Sequence, residues 1–356
     1  MSRFLIPRLF SLEAYKPGEQ PRGEVLIKLN TNESPFPPAS SVLEAITRDE
    51  VERLNLYSDP TACILEEAIA AHYGLDRNQV FAGNGSDEVL AFCFQAFCDR
   101  VCYPDITYAM YPVLAALYGA DALKIPLSDD FRIDPTDYND VGRTIFLANP
   151  NAPTSLYLTP GQIEHILLNN LNSLVVVDEA YIDFGGESVS PLLTKYDNLF
   201  IVHTFSKSRN LAGARIGFAM GSKELIDDLR RIKYSFNPYS LNRLSILAGT
   251  AAVKEKSYYA ECTRVITETR DWAVNELRNR GFMVTDSMTN FLFASPPCLT
   301  GLQYLERLRS KGVLVRHFPQ PRINNYVRIT VGTPEQMRVL FSITDRLLEE
   351  ACEKQQ

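Results

Sequence analysis

The chain contains Val175-Val176-Val177-Asp178-Glu179-Ala180-Tyr181 and, further along, Phe200-Ile201-Val202-His203-Thr204-Phe205-Ser206-Lys207, followed by Gly213, Arg215 and Gly217. Each stretch opens as a short apolar run rich in β-branched residues and ends abruptly in ionisable ones. Runs of this kind read as strands buried on both faces of a parallel sheet. In open α/β sheets, ligands sit beyond the carboxyl ends of the strands. An Asp, a Tyr, a Lys and an Arg delivered there together suit an anionic, electron-withdrawing group.

Working outward from this stretch, apolar runs alternate with helical patterns from about residue 36 to 240. Val80-Phe81-Ala82 precedes a helix predicted to start near Ser86, and Thr144-Ile145-Phe146-Leu147 precedes a loop over Asn149–Thr154. Thr159-Pro160-Gly161-Gln162 is a helix start: Thr159 as N-cap, Pro160 at the first helical position, Gln162 closing a capping box. Ile163, Ile166, Leu167 and Leu171 give that helix one apolar stripe. Ile216–Met220 reads as a further strand. The alternation predicts an α/β fold with a mostly parallel sheet flanked by helices.

Past Pro238 the pattern changes. It predicts one long helix over roughly 240–280 stopped by Gly281, strands at Phe282–Thr285 and Asn290–Ala294, and a helix running to Lys311 and Gly312. Strands at Val313–Phe318 and Tyr326–Val331 follow, then a last helix capped by Thr333 and Gln336. The expected division is a large domain over 36–240 and a smaller α+β domain built from 241–356 with the N-terminal arm 1–35. In that arm the one short apolar run is Val25–Leu29.

At 356 residues, two domains are the default. A net charge of −7 argues against a nucleic-acid partner, which needs a basic stripe. No apolar run reaches the roughly 18 residues of a membrane span, and Met1-Ser2-Arg3-Phe4 opens no secretory signal pattern. Seven scattered Cys fit reduced thiols and a cytoplasmic location. Cys93, Cys98 and Cys102 sit in a helix-like segment, Ala91–Cys102, without the close pairing of most zinc sites, so no metal is expected.

The site candidates each have a plain alternative. Lys207 could be a solvated surface lysine, yet it follows an apolar strand and lies near Arg215, whose like charge favours a neutral amine able to form a Schiff base. Asp178 could cap a helix, or hold a pyridine nitrogen protonated so that the ring becomes an electron sink. Tyr181 could be an amphipathic core residue, or donate to a phenolate oxygen. Gly83-Asn84-Gly85-Ser86-Asp87-Glu88 lies between strand and helix, where backbone N–H groups can cradle a phosphate. It lacks the spacing of the dinucleotide and Walker motifs. Ser206 and Arg215 could add a hydroxyl and a guanidinium to the same phosphate.

Asp178-Glu179-Ala180-Tyr181, Ser206-Lys207, Leu211-Ala212-Gly213-Ala214-Arg215 and Asn149-Pro150-Asn151-Ala152-Pro153-Thr154 resemble the pyridoxal-phosphate aminotransferases of fold type I. Leu29-Asn30-Thr31-Asn32-Glu33, Gly85-Ser86-Asp87-Glu88, Thr107-Tyr108-Ala109-Met110-Tyr111 and Val327-Arg328-Ile329-Thr330-Val331-Gly332 narrow the resemblance to the histidinol-phosphate aminotransferases. It implies a cytoplasmic homodimer that uses pyridoxal 5'-phosphate to transaminate between L-histidinol phosphate and 2-oxoglutarate, in histidine biosynthesis. The products would be imidazole acetol phosphate and L-glutamate. The alternatives are a lyase similar to threonine-phosphate decarboxylase and an aromatic amino acid aminotransferase.

The resemblance also implies roles. Lys207 would carry the cofactor and move the substrate proton, Asp178 would pair with the ring nitrogen, Tyr181 with the ring oxygen, and Tyr108 would stack on the ring. Ser86 and Asp87 (through backbone N–H), Ser206 and Arg215 would hold the phosphate, with Tyr57 reaching it from the other subunit. Tyr15, Arg316 and Arg328 would bind the substrate's distal anion, and Arg328 also the glutamate carboxylate. One position departs from the family pattern. Ala152 stands where an Asn usually donates to the ring oxygen, with Ser155 in place of Gly. Either Tyr181 serves that oxygen alone or Asn151 shifts in.

Overall fold

The apolar runs of the first two-thirds of the chain become β1 (Ile27–Lys28), β2 (Val80–Gly83), β3 (Arg100–Pro104), β4 (Asp121–Ile125), β5 (Thr144–Ala148), β6 (Val175–Asp178), β7 (Leu199–Thr204) and β8 (Gly217–Met220). Those that follow are β9 (Met283–Val284), β10 (Phe291–Ser295), β11 (Val313–Leu314), β12 (Arg316–His317) and β13 (Val327–Thr330). The computed structural model describes residues 2–21 and 27–353.

Seven strands form the main sheet in the order β2-β8-β7-β6-β5-β3-β4. Its pairs are parallel except at β8, which runs antiparallel to both β7 and β2. Side chains alternate across the sheet, as period-2 geometry requires. Val80, Ile145, Val175, Val177 and Ile201 enter one buried cluster, with the helices Cys63–Tyr73, Pro160–Leu168 and Arg243–Lys254. Phe81, Phe146, Val176, Phe200 and Val202 enter another, against Ser86–Phe97, Met110–Tyr118 and Lys223–Phe236. With both faces covered, β5, β6 and β7 are buried along their whole length.

A four-stranded antiparallel sheet, β12-β13-β10-β9, packs with the helices Lys256–Asn279, Gly301–Ser310 and Pro334–Glu353 around a second core holding Leu277, Leu292, Tyr304, Ile329 and Leu340. The capping boxes at Thr159 and Thr300 form with both reciprocal hydrogen bonds, and Thr333 and Gln336 cap each other's backbone N–H groups.

Several local expectations differ. The helix predicted over 240–280 is two helices, broken at Glu255, whose backbone (φ −87°, ψ 75°) leaves the helical region. Val313–Phe318 is two short strands in different sheets. β11 pairs in parallel with β1, while β12 joins β13. The segment 91–102 is a helix only to Phe97, after which Arg100–Pro104 turns into a strand that places Cys102 in the sheet. The helix begun at Pro160 ends at Leu168, so Leu171 lies beyond it and is exposed. Of the arm's apolar run, Val25 and Leu26 fall outside the described residues.

Candidate active site

The sheet register brings the decisive residues to one edge. Ala148 pairs with Asp178, Asp178 with Val202, Thr204 with Gly217, and Gly217 with Gly83. These are the carboxyl ends of β5, β6, β7 and β2 and the amino end of β8. Beyond them lies a cavity of about 280 Å³ whose wall includes Lys207, Asp178, Tyr181, Tyr108, Arg215 and Arg328. Ser86, Asp87, Ser206, Tyr15 and Arg316 line it too, which brings together every residue expected from the sequence except Tyr57.

Asp178 ends β6 and is 4% exposed. Its Oδ1 accepts the Ala180 N–H at 3.1 Å and its Oδ2 accepts the Tyr111 hydroxyl at 3.2 Å. Burial pushes the carboxyl up to about 7, against those two hydrogen bonds. Among the described residues no cation is in ion-pair contact with it. A buried carboxylate in that condition calls for a positive partner from the cavity. Lys207 follows β7, and its Nζ donates to Thr31 O at 3.4 Å and lies 5.6 Å from the centre of the Tyr181 ring.

An anion cradle stands at the start of the helix Ser86–Phe97. Its N-cap, Gly85, has φ +84° and no side chain to cap the first N–H groups. A Cβ on Gly217 would lie 2.2 Å from the Ser86 nitrogen, so close backbone approach requires glycine there, while at Gly85 the positive φ does. The Ser206 oxygen accepts from Thr204 Oγ1 at 3.0 Å and from Arg215 Nη1 at 3.4 Å, which leaves its own proton for the cavity. Asp87 acts through its side chain as well as its position. It accepts the Tyr108 hydroxyl at 2.8 Å and pairs with Arg215 at 3.6 Å, fixing both on the cavity wall.

Arg328, from β13, lies with its guanidinium 5.3 Å from the Phe291 ring centre and 5.7 Å from that of Phe318. Burial lowers its affinity for its proton. Nη2 donates to Asn30 O at 3.2 Å, Nε has no partner, and no carboxylate pairs with it among the described residues. Its charge is therefore open to the cavity. Arg316 donates to the carbonyls of Lys16 and Pro17 at 2.9 and 3.4 Å, which draws the N-terminal arm and Tyr15 over the cavity. Tyr15 and Tyr108 have ring centres 6.5 Å apart.

Tyr57 is the expected residue that the fold does not bring to this cavity. It is 80% exposed and stacks on Tyr239 at 4.4 Å. Ala152 is buried on the cavity wall. Asn151 is committed elsewhere: its amide donates to Ile106 O and Thr154 Oγ1, each at 2.9 Å, and accepts from Thr107 Oγ1 at 2.8 Å. It has not moved in to replace an Asn at 152. The roles of Tyr111 and Asn32 were missed. Each lies inside a motif read from the sequence, but the contact that gives it a role comes from a distant element.

Pyridoxal phosphate suits this donor set: an anion cradle at one end, an unpaired buried carboxylate for the ring nitrogen, and a lysine between. The description "Aminotransferase class I and II" belongs to the family whose model matches residues 24–343. The histidinol-phosphate aminotransferase of Brachyspira hyodysenteriae is 48% identical over 343 residues, covering 95% of this chain and 97% of that protein. Histidinol-phosphate aminotransferase 1 of Hydrogenovibrio crunogenus is 47% identical, covering 98% and 99%. The solved structure of the Sinorhizobium meliloti histidinol-phosphate aminotransferase in complex with pyridoxal-5'-phosphate has a TM-score of 0.87 at 24% identity, covering 98% of this chain and 99% of that one.

Proposed function

From a chain that belongs to the class I and II aminotransferases, and within them to the histidinol-phosphate aminotransferases, we infer a transaminase that moves the amino group between L-histidinol phosphate and 2-oxoglutarate in histidine biosynthesis. The cofactor is pyridoxal 5'-phosphate. When bound, it supplies an aldehyde and a pyridine ring able to take up electron density.

The residues divide the work. Lys207 Nζ would hold the cofactor and would carry the proton to and from the substrate carbon. The carboxylate of Asp178 would keep the ring nitrogen protonated, and its burial would strengthen that pairing. Tyr181 would donate its hydroxyl proton to the ring oxygen, and Tyr108 would stack on the ring. The N–H groups of Ser86 and Asp87, the Ser206 hydroxyl and the Arg215 guanidinium hold the phosphate. Arg328, with Arg316 and Tyr15, receives the phosphate of the amine or the carboxylate of the keto acid.

The observation that carries this reading is the Arg328 guanidinium, half-buried in the same cavity as Lys207 and Asp178 with no acidic partner among the described residues. A turnover assay with 2-oxoglutarate and a panel of phosphorylated and aromatic amines tests it. Keto-acid-dependent consumption of histidinol phosphate is expected. Turnover of a phosphorylated amino acid without a keto acid would make the enzyme a lyase instead.

The active unit is a homodimer, in the cytoplasm. Tyr57, far from its own cavity, is exposed together with Leu54, Leu56 and Phe236, an apolar surface that a second copy would cover. Tyr57 would then reach the partner's phosphate site. Dilution should lower specific activity together with sedimenting mass, and Tyr57→Phe should weaken cofactor retention. A monomer of full specific activity would remove Tyr57 from the site.

A further inference from the structure

Asn32 lies in the turn that follows β1, at φ +57° and almost completely buried. Its backbone and side chain are tied down from three directions. Its N–H donates to Thr330 Oγ1 at 2.9 Å, and that hydroxyl, having accepted, donates its own proton to Asn32 Oδ1 at 3.1 Å. Asn290 Nδ2 donates to the Asn32 carbonyl at 3.0 Å. With Oδ1 serving as acceptor, the amide orientation is fixed, and Nδ2 is the donor to the Tyr181 oxygen at 2.9 Å.

A phenol carries one proton. Because Tyr181 accepts from Asn32, that proton is not spent on Asn32 and is left for an acceptor in the cavity. The Tyr181 ring is held at 5.1 Å and 84° against Phe291, so the hydroxyl cannot swing away without losing that contact. The incoming amide hydrogen bond also polarises the O–H, as linked hydrogen bonds do.

We propose that Asn32 is a positioning residue: it aims and strengthens the Tyr181 hydroxyl as donor to the cofactor's ring oxygen, and so partly offsets the donor missing at Ala152. This rests on the reading of Tyr181 given above and assigns the donor to a residue far away in sequence. The side chain at 152 is a methyl, and the Asn151 amide is occupied. The compensating amide comes from the segment after β1, 120 positions away in the chain.

The test is a pH titration of the visible absorbance of the cofactor-loaded protein, without turnover, in wild type, Asn32→Gly, Tyr181→Phe and the double variant. Glycine keeps the positive φ and both backbone hydrogen bonds of position 32. A donor to the ionised ring oxygen lowers the midpoint of this titration, so its loss raises it. Asn32→Gly should raise the midpoint by about half a unit, as expected when a strengthening contact is lost but the Tyr181 donor remains. In the Tyr181→Phe background the same change should add nothing.

Asn32→Asp sharpens the test, because a carboxylate would claim the Tyr181 proton. Its midpoint should rise further than that of Asn32→Gly, beyond the charge effect measured in the Tyr181→Phe background. Equal shifts by Asn32→Gly in both backgrounds would overturn the proposal, as would no shift where Tyr181→Phe shows one. A Tyr181→Phe protein with the wild-type midpoint would remove the underlying reading of Tyr181, and the proposal with it.

Discussion

Asp178 and Glu179 are neighbours at the end of one strand, both shut off from solvent, and burial pushes both up to about 7. They differ in what answers them. Glu179 accepts the Ser188 hydroxyl at 2.7 Å and the Val189 N–H at 2.8 Å, so one oxygen each is engaged by a neighbouring loop. Asp178 has its two longer contacts and an open cavity. The same contrast separates other charged groups of the fold from those on the cavity wall. Asp183 meets the Ser208 hydroxyl, His203 at 3.6 Å and Arg209 at 3.7 Å, and Glu66 meets Arg230 at 3.1 Å and Arg77 at 3.4 Å. Arg328 meets no acid among the described residues. A buried charge with its partners in the fold holds the fold together; one left short of partners waits for a ligand.

The largest effect tests the open side. Lys207→Ala should abolish turnover, because nothing else in the cavity offers an amine. The melting temperature of the cofactor-free protein should move little, since the ammonium makes only one long hydrogen bond, to Thr31 O. Borohydride should fix the cofactor to Lys207 in the wild type. Label on another lysine would break the assignment.

Asp178→Asn should lower the rate by on the order of a hundredfold or more, as loss of an electrostatic partner in a water-poor site does. Its stability effect should have the opposite sense. The folded value, about 7, lies above the ordinary 3.8, so the folded state holds this proton more tightly than the unfolded chain. Stability from this group is full below about pH 4 and is lost as pH rises through about 7. Without cofactor, the variant should therefore gain melting temperature on the wild type between pH 5 and pH 8. A variant that melts lower by the same margin at both pH values would place Asp178 among the structural acids.

Asp183→Asn tests the closed side. Burial pushes its carboxyl up, but His203, Arg209 and the Ser208 hydroxyl outweigh burial and hold it below the ordinary range. Its contribution is thus present at neutral pH and is lost as pH falls through the lowered value. The variant should lose about 2 kcal/mol at pH 7, less than a fully buried pair would cost, and the gap in denaturant midpoint should close below about pH 4. An equal gap at pH 3 and pH 7 would show that packing, not charge, is at stake.

The contrast also sorts what could be read in the sequence. β6 and β7 were legible because a buried parallel strand is written as a continuous apolar run, and their ends announced Asp178 and Lys207. β3 and β4 were not. Arg100–Pro104 follows a helix with only Cys98 and Asp99 between, and Asp121–Ile125 is an edge strand exposed at four of its five positions. The site residues on single motifs were found in order. What could not be read was pairing: Tyr111 onto Asp178, Asn32 onto Tyr181, and the saturation of Glu179 by Ser188 and Val189 all depend on which segments fold against each other. The difference between a filled and an open acid is invisible until they do.

The smallest effect concerns the methyl at position 152, on the open side of the site. Ala152 is buried on the cavity wall, and a hydrogen bond to an ionised oxygen is worth roughly 1.5–3 kcal/mol. At about 1.4 kcal/mol per pH unit, an amide at this position would lower the midpoint of the cofactor's visible titration by roughly one to two units. Ala152→Asn should show that fall, provided the amide enters the cavity. Because Asn151 is held by Ile106, Thr154 and Thr107, it offers no donor that the new amide would merely duplicate. The fall should be larger in the Asn32→Gly protein than in the wild type, since a ring oxygen served by a weakened Tyr181 gains more from a second donor. An unchanged midpoint in both proteins would mean that the side chain at 152 does not face the ring oxygen, and that the open side of the site is closed there by other means.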